Sequence, residues 1–207
     1  KNLSNFFLNS KIKSFIQIGT GGEYGKLNSP HNEKKKWEKK FHSTYSKAKY
    51  LATEHLINLY KKKGFPCTIL RVYQAYGPKQ ATNRFLPIII TNCIKNKKFD
   101  TSNGNQFRDF IYIKDLIKII HKCLCSKNTA GHIINVGSGK PLRIKDIIFK
   151  VQKICKGGLP QFGKVLLRKD ESKTFYPDIN KLKKLLKFKP NTSFDKGLKF
   201  TINSYMN

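Results

Sequence analysis

The 207 residues carry 42 Lys and Arg against 12 Asp and Glu, a formal net charge of +30, yet 39% of them are hydrophobic and 12% aromatic. Such a chain can build a core and is not a disordered polycation. No apolar run reaches the roughly 18–20 residues that a helical membrane span needs, so a membrane protein is not expected.

The five cysteines (Cys67, Cys93, Cys123, Cys125, Cys155) lie in apolar stretches without paired metal-ligand spacing. They read as reduced core thiols of a cytoplasmic protein, and no metal site is expected. Only Arg71, Arg84, Arg108, Arg143 and Arg168 are arginines; the remaining cations are lysines spread from Lys11 to Lys199. That distribution describes a solvated basic surface, and no specific nucleic-acid partner is expected. The single methionine is Met206 and the first residue is Lys1, so the natural start is expected to lie upstream; Lys1 to Ile12 has no signal-peptide pattern.

Ser14 to Gly19 is a short apolar run ending in glycine, as in a buried parallel strand that opens into a loop. A polar stretch containing Pro30 follows from Gly25 to His42. Ser43 or Thr44 caps a predicted helix to about Lys63, with Ala48, Leu51, Ala52, Leu56 and Leu59 at helical spacing and Gly64 and Pro66 as its stop. Cys67 to Tyr73 is a second buried strand. Asn83 to Asn96 is a helix with Pro87 in its first turn, and Asp100 to Gln106 a polar loop. Phe110 to Ile113 leads into a helix from Lys114 to Ser126, and His132 to Val136 is a third strand. Helices follow over Ile144 to Lys156, Asn180 to Leu186 and Phe194 to Tyr205. Strands alternating with helices imply an α/β fold with a mostly parallel sheet. Three strands suffice for only part of a doubly wound sheet, so its N-terminal half is expected to be missing.

Two glycine patterns fail as phosphate loops. Gly19, Gly22 and Gly25 have dinucleotide-fingerprint spacing, but Lys26 to Asn32 has no helical period and Pro30 interrupts it, so no helix N-terminus is aimed at a phosphate. Gly137-Ser-Gly-Lys140 lacks the earlier glycine of a P-loop. Tyr45 and Lys49, by contrast, stand at i and i+4 on one helix face. There a lysine cation can stabilise a tyrosinate and make the phenol an acid/base; in so lysine-rich a chain the spacing alone also describes a solvated helix pair.

Six blocks occur in order: Ile18 to Gly25, Tyr45-Ser-Lys-Ala-Lys49, Leu70 to Pro78, Arg108 to Asp115, Asn135 to Gly139, and Arg168 through Asp178. With them the chain resembles the extended short-chain dehydrogenase/reductase family of NAD-dependent nucleotide-sugar epimerases and dehydratases. The resemblance implies a partial Rossmann-like parallel sheet with a smaller, mostly helical substrate-binding lobe. Residues 1–78 and 108–137 would belong to the cofactor domain, and 79–107 and 138–207 to the lobe. The family's opening strand, glycine-rich turn and ribose-reading acid have no counterpart here and would lie before Lys1.

The resemblance also implies roles. Thr20 would bond the reacting sugar oxygen, Tyr45 would exchange its proton, and Lys49 would hold the nicotinamide ribose. Tyr73 would border the nicotinamide. Gln74 stands where many members have a phosphate-contacting asparagine. Arg108 and Arg168 would clamp the nucleotide diphosphate, work suited to a planar guanidinium fork, with Arg84, Phe85 and Glu171 near the nucleotide. Dehydrating members carry acids just after the catalytic Thr/Ser, whereas Gly21 and Gly22 stand here. Dehydration is therefore not expected, and an epimerase exchanging hydride at a sugar carbon, C4, is. The cofactor would be NAD or NADP, the substrate a nucleotide sugar and the assembly a homodimer. A 4-keto-6-deoxy-sugar reductase using NADPH, an inactive fragment, and a basic nucleic-acid-binding protein remain open alternatives.

Overall fold

The computed structural model describes residues 2–35, 40–168 and 171–206. After a short helix α1 (Asn2–Phe6), the strand β1 (Phe15–Thr20) leads through a 3₁₀ turn at Gly21–Tyr24 and an irregular stretch to α2 (Thr44–Lys63). The Ser43 hydroxyl accepts the Ser46 N–H at 3.2 Å and caps the start of α2. Gly64 ends it in the left-handed conformation (φ 66°), its N–H donating to the Tyr60 carbonyl at 2.8 Å. The strand β2 (Cys67–Val72) pairs parallel to β1, with Ile18 opposite Leu70.

The chain then forms β3 (Gln74–Tyr76), α3 (Phe85–Ile94), β4 (Lys98–Thr101), β5 (Phe107–Tyr112), α4 (Ile113–Leu124) and β6 (His132–Val136). β6 joins the far edge of β2, giving a three-stranded parallel sheet in the order β1-β2-β6. β7 (Pro141–Arg143), α5 (Ile144–Cys155), β8 (Leu159–Phe162), β9 (Thr174–Phe175), α6 (Asn180–Leu186) and α7 (Phe194–Met206) complete the fold. A second sheet is built around β5, which pairs with β3, β7 and β9.

Three apolar clusters hold these parts together. Leu56, Phe65, Cys67 and Ile69 pack where α2 crosses the sheet. Leu70, Ile119, Ile134, Val136 and Leu182 fill the opposite face under α4 and α6. Ile90, Ile147, Ile148, Leu198 and Ile202 join α3, α5 and α7 in the third. Apolar surface removed from water in these clusters stabilises the packing by roughly 25 cal/mol per Å².

One difference from the sequence reading stands out. Asp100 and Thr101 belong to β4, paired with β8, and not to a loop. A four-residue strand with one apolar side chain, Phe99, carries too little alternation to be recognised, and its partner lies some sixty positions downstream. Beyond residue 138, α5 and α7 pack with α3, and α6 packs on the parallel sheet through Leu182 and Leu186. Among the described residues no helix is long and apolar enough to cross a membrane, and no group of three or more His, Cys, Asp or Glu side chains could hold a metal.

Candidate active site

The site is assembled at the carboxyl ends of β1 and β2, the end of an open α/β sheet where ligands bind. Thr20 is the last residue of β1 and caps the 3₁₀ turn: its hydroxyl accepts the Gly22 N–H at 3.2 Å, and its own N–H donates to Glu23 Oε1 at 2.9 Å. Glu23 is wholly buried. Its Oε2 accepts the Thr53 hydroxyl at 2.8 Å and Arg71 Nε at 2.9 Å. A buried carboxylate with all these donors is a structural tie between β1, α2 and β2. Arg71 also lies over the Tyr24 ring at 4.4 Å, so this arginine belongs to the core.

Tyr45 sits in the first turn of α2 and is 61% exposed. Lys49, one turn on, donates from Nζ to the Ile18 carbonyl at 2.9 Å and lies 5.8 Å from the Tyr45 ring centre. The helix spacing and the carbonyl on β1 together bring the phenol and the ammonium to the strand that carries Thr20. The turn packs on the same helix, since a side chain at Gly22 would meet Ser46 Oγ at 2.6 Å.

Gln74, Arg108, Arg168 and Glu171 line one cleft of about 190 Å³ with His42, Ser172 and Phe175. Arg108 comes from β5, which β9 flanks. Its Nη2 donates to Glu171 at 2.5 Å and its Nη1 to the Phe107 carbonyl at 2.9 Å. Arg84 and Phe85 do not reach this cleft. They line an adjoining one of about 470 Å³ with Tyr73, Gln80 and Asn83, and Gln74 borders both. Tyr73 is mostly buried, with its hydroxyl 2.7 Å from His31 Nδ1.

Sequence reasoning missed His42, which lines both the arginine cleft and the depression formed by Ser43, Thr44 and Lys47 just ahead of Tyr45. Its Nε2 lies 2.9 Å from the Gly25 carbonyl. His31 was missed as well. A histidine inside a polar stretch gives no periodic signal, and its partner Tyr73 is 42 positions away.

An α/β chain with a parallel sheet, a tyrosine–lysine pair at the strand ends and an arginine-lined cleft beside it defines the class. Residues 1–137 match the model of the NAD dependent epimerase/dehydratase family, and the chain belongs to that family. It is 29% identical over 191 residues to the uncharacterized UDP-glucose epimerase YtcB of Bacillus subtilis (strain 168), covering 90% of this chain and 58% of that protein. It is 24% identical over 173 residues to the dTDP-glucose 4,6-dehydratase of Salmonella typhimurium (strain LT2), covering 79% of this chain and 47% of that one. The chain thus spans about half the length of these relatives. The crystal structure of UDP-glucuronic acid 4-epimerase from Bacillus cereus, in complex with UDP-glucuronic acid and NAD, superposes with a TM-score of 0.87 at 29% identity, over 99% of this chain and 65% of that one.

Proposed function

We propose that these residues form the catalytic and substrate-binding part of an NAD-dependent nucleotide-sugar epimerase that exchanges hydride at sugar C4. The observation that carries this reading is the gathering of Gln74, Arg108, Arg168 and Glu171 in one cleft, with Thr20 at the end of β1 and Tyr45 and Lys49 on α2. Two guanidinium groups suit a diphosphate dianion. Glu171 suits a ribose hydroxyl, and Gln74 can donate to a phosphate oxygen.

The phenol and ammonium near the end of β1 suit the nicotinamide ribose of a dinucleotide, with Tyr45 and Lys49 as its holders; Tyr73 would border the nicotinamide. When bound, that group supplies the acceptor and the returning donor of a hydride. Tyr45 takes the proton of the sugar hydroxyl and gives it back; Lys49 stabilises the phenolate by its charge. Thr20 accepts the Gly22 N–H, which leaves its own hydroxyl proton to bond the reacting sugar oxygen. Arg84 and Phe85 would contact the nucleotide from the adjoining cleft. A homodimer through α2 belongs to the same reading.

Epimerisation is favoured over dehydration because residues 21–23 offer no free carboxylate. A Cβ at Gly21 would stand 2.8 Å from Tyr73 Cζ and 3.0 Å from Phe175 Cζ, and Glu23 is committed to Arg71. The test is the whole protein with NAD and a panel of UDP-hexoses. Tyr45→Phe should lower turnover by about 10²-fold or more, within the usual range for an acid/base group, with UDP affinity within twofold of wild type. Undiminished turnover would remove Tyr45 from the mechanism.

A further inference from the structure

His31 is 1% exposed although it sits in a polar, proline-containing stretch between β1 and α2. Its ring contacts fix its tautomer. Nε2 lies 2.8 Å from the Leu27 carbonyl, which can only accept, so Nε2 carries the proton. Nδ1 is then an acceptor, and the Tyr73 hydroxyl donates to it at 2.7 Å. The imidazole stacks on Tyr24 (4.8 Å, 26°) and meets Phe175 edge-on (5.1 Å, 80°). Burial pushes its pKa down to about 4, in agreement with a neutral ring.

The backbone of His31 ties in a third segment. Its N–H donates to the Tyr176 carbonyl at 3.0 Å, and its carbonyl accepts the Asp178 N–H at 2.8 Å and Asn135 Nδ2 at 2.9 Å. One residue therefore joins the end of β6, the end of β2 through Tyr73, and the segment just after β9, whose Phe175 lines the cleft with Arg168 and Glu171. Tyr73 and Phe175 in turn form the surface on which Gly21 rests.

We infer that His31 is a positioning residue. Through Tyr73, Tyr176 and Asp178 it sets where the cleft wall carrying Arg168, Glu171 and Phe175 stands relative to the turn carrying Thr20. The inference rests on the reading of that cleft as the nucleotide site. Nothing in the sequence marks the pair: a histidine and a tyrosine become partners only because the turn after β1 folds back over the end of β2.

Two measurements on the whole protein test it. Long-range ¹H–¹⁵N NMR at pH 7 should show a neutral His31 with its proton on Nε2, and Tyr73→Phe should move the Nδ1 resonance; a proton on Nδ1, or an unmoved resonance, overturns the inference. Titration with UDP should then show His31→Leu and Tyr73→Phe each weakening binding about fivefold, the scale of one lost hydrogen bond, and the double variant no worse than the poorer single one. Near-UV circular dichroism checks that each variant is folded, and Tyr73→Phe keeps the ring and so the packing. Additive losses, or unchanged UDP affinity in the folded variants, overturn the positioning role. If wild type does not bind UDP, the nucleotide reading falls. The inferred clasp is then decided by the NMR result and by whether the two substitutions are non-additive in urea unfolding.

Discussion

Arg108 already has an anionic partner, because Glu171 stands 2.5 Å from its guanidinium on the wall of the cleft. A diphosphate would meet this arginine as a competitor of the carboxylate, and the second arginine, Arg168, lines the same space. Charge-assisted hydrogen bonds contribute about 1.5–3 kcal/mol each. Arg108→Ala is therefore expected to weaken UDP about 10- to 100-fold in a calorimetric titration. Arg108→Lys should recover only a part, since an ammonium keeps the charge and loses the fork. Equal affinities for the lysine and arginine proteins would remove the bidentate contact.

His31 makes a second residue-level prediction, one of sign. Burial holds its folded pKa near 4, below the ordinary 6.5, so the native protein keeps it neutral while the unfolded chain binds a proton. Stability is fully present above about pH 6.5 and is lost as the pH falls toward 4. Lys35 and Arg71 press in the same direction, and Tyr24 and Tyr73 face the ring without charge. Asp109 and Glu33 work oppositely: burial raises both carboxyls, so the native state takes up their protons first and gains stability on acidification. Comparison of wild type with His31→Leu isolates the histidine. In urea unfolding between pH 7 and 4, the advantage of wild type should shrink by up to about 3 kcal/mol, at about 1.4 kcal/mol per pH unit. Parallel pH profiles would refute a buried neutral imidazole.

At the scale of elements, the turn after β1 tolerates little change. Its residues 21 and 22 face Tyr73, Phe175 and Ser46 so closely that neither position has room for a side chain without movement. Overpacking of this kind costs about 1–3 kcal/mol. Gly21→Asp should lower stability by that amount in thermal unfolding, and the protein should form no 4,6-dehydration product. A stable variant with dehydratase activity would show that the aromatic floor does not exclude an acid there.

The same scale shows what the sequence made legible. α2, α5, α6 and α7, and the strands β2 and β6, were readable within a residue or two, because a long apolar period or a continuous β-branched run belongs to one segment alone. β4, β7, β8 and β9 were not, being two to four residues long and defined only by distant partners. The tyrosine–lysine pair was visible as an i, i+4 spacing. The joint placement of Gln74, Arg108, Arg168 and Glu171 rested on resemblance, since no local rule brings positions 74, 108 and 171 together. The tie of Glu23 to Arg71 joins residues 48 positions apart, a pairing that no local spacing shows.

Over the whole molecule the net charge of +30 is concentrated on the outside more strongly than composition suggests, because Glu23, Asp109 and Asp115 are among the few acids and are buried. A surface this one-signed attracts any polyanion, so association with nucleic acid in dilute buffer carries no information about function. Salt separates the two kinds of anion binding. A duplex held by six to ten lysine contacts loses roughly 10³- to 10⁵-fold in affinity between 50 and 200 mM salt. UDP held by two guanidinium groups within a cleft offers few charges to screen, and its affinity should fall less than about tenfold over the same range. Fluorescence anisotropy with a labelled duplex and calorimetry with UDP, on the same preparation, measure both slopes. Duplex binding that survives high salt while UDP binding does not would reverse the assignment, making the lysine face the specific site and the arginine cleft the incidental one.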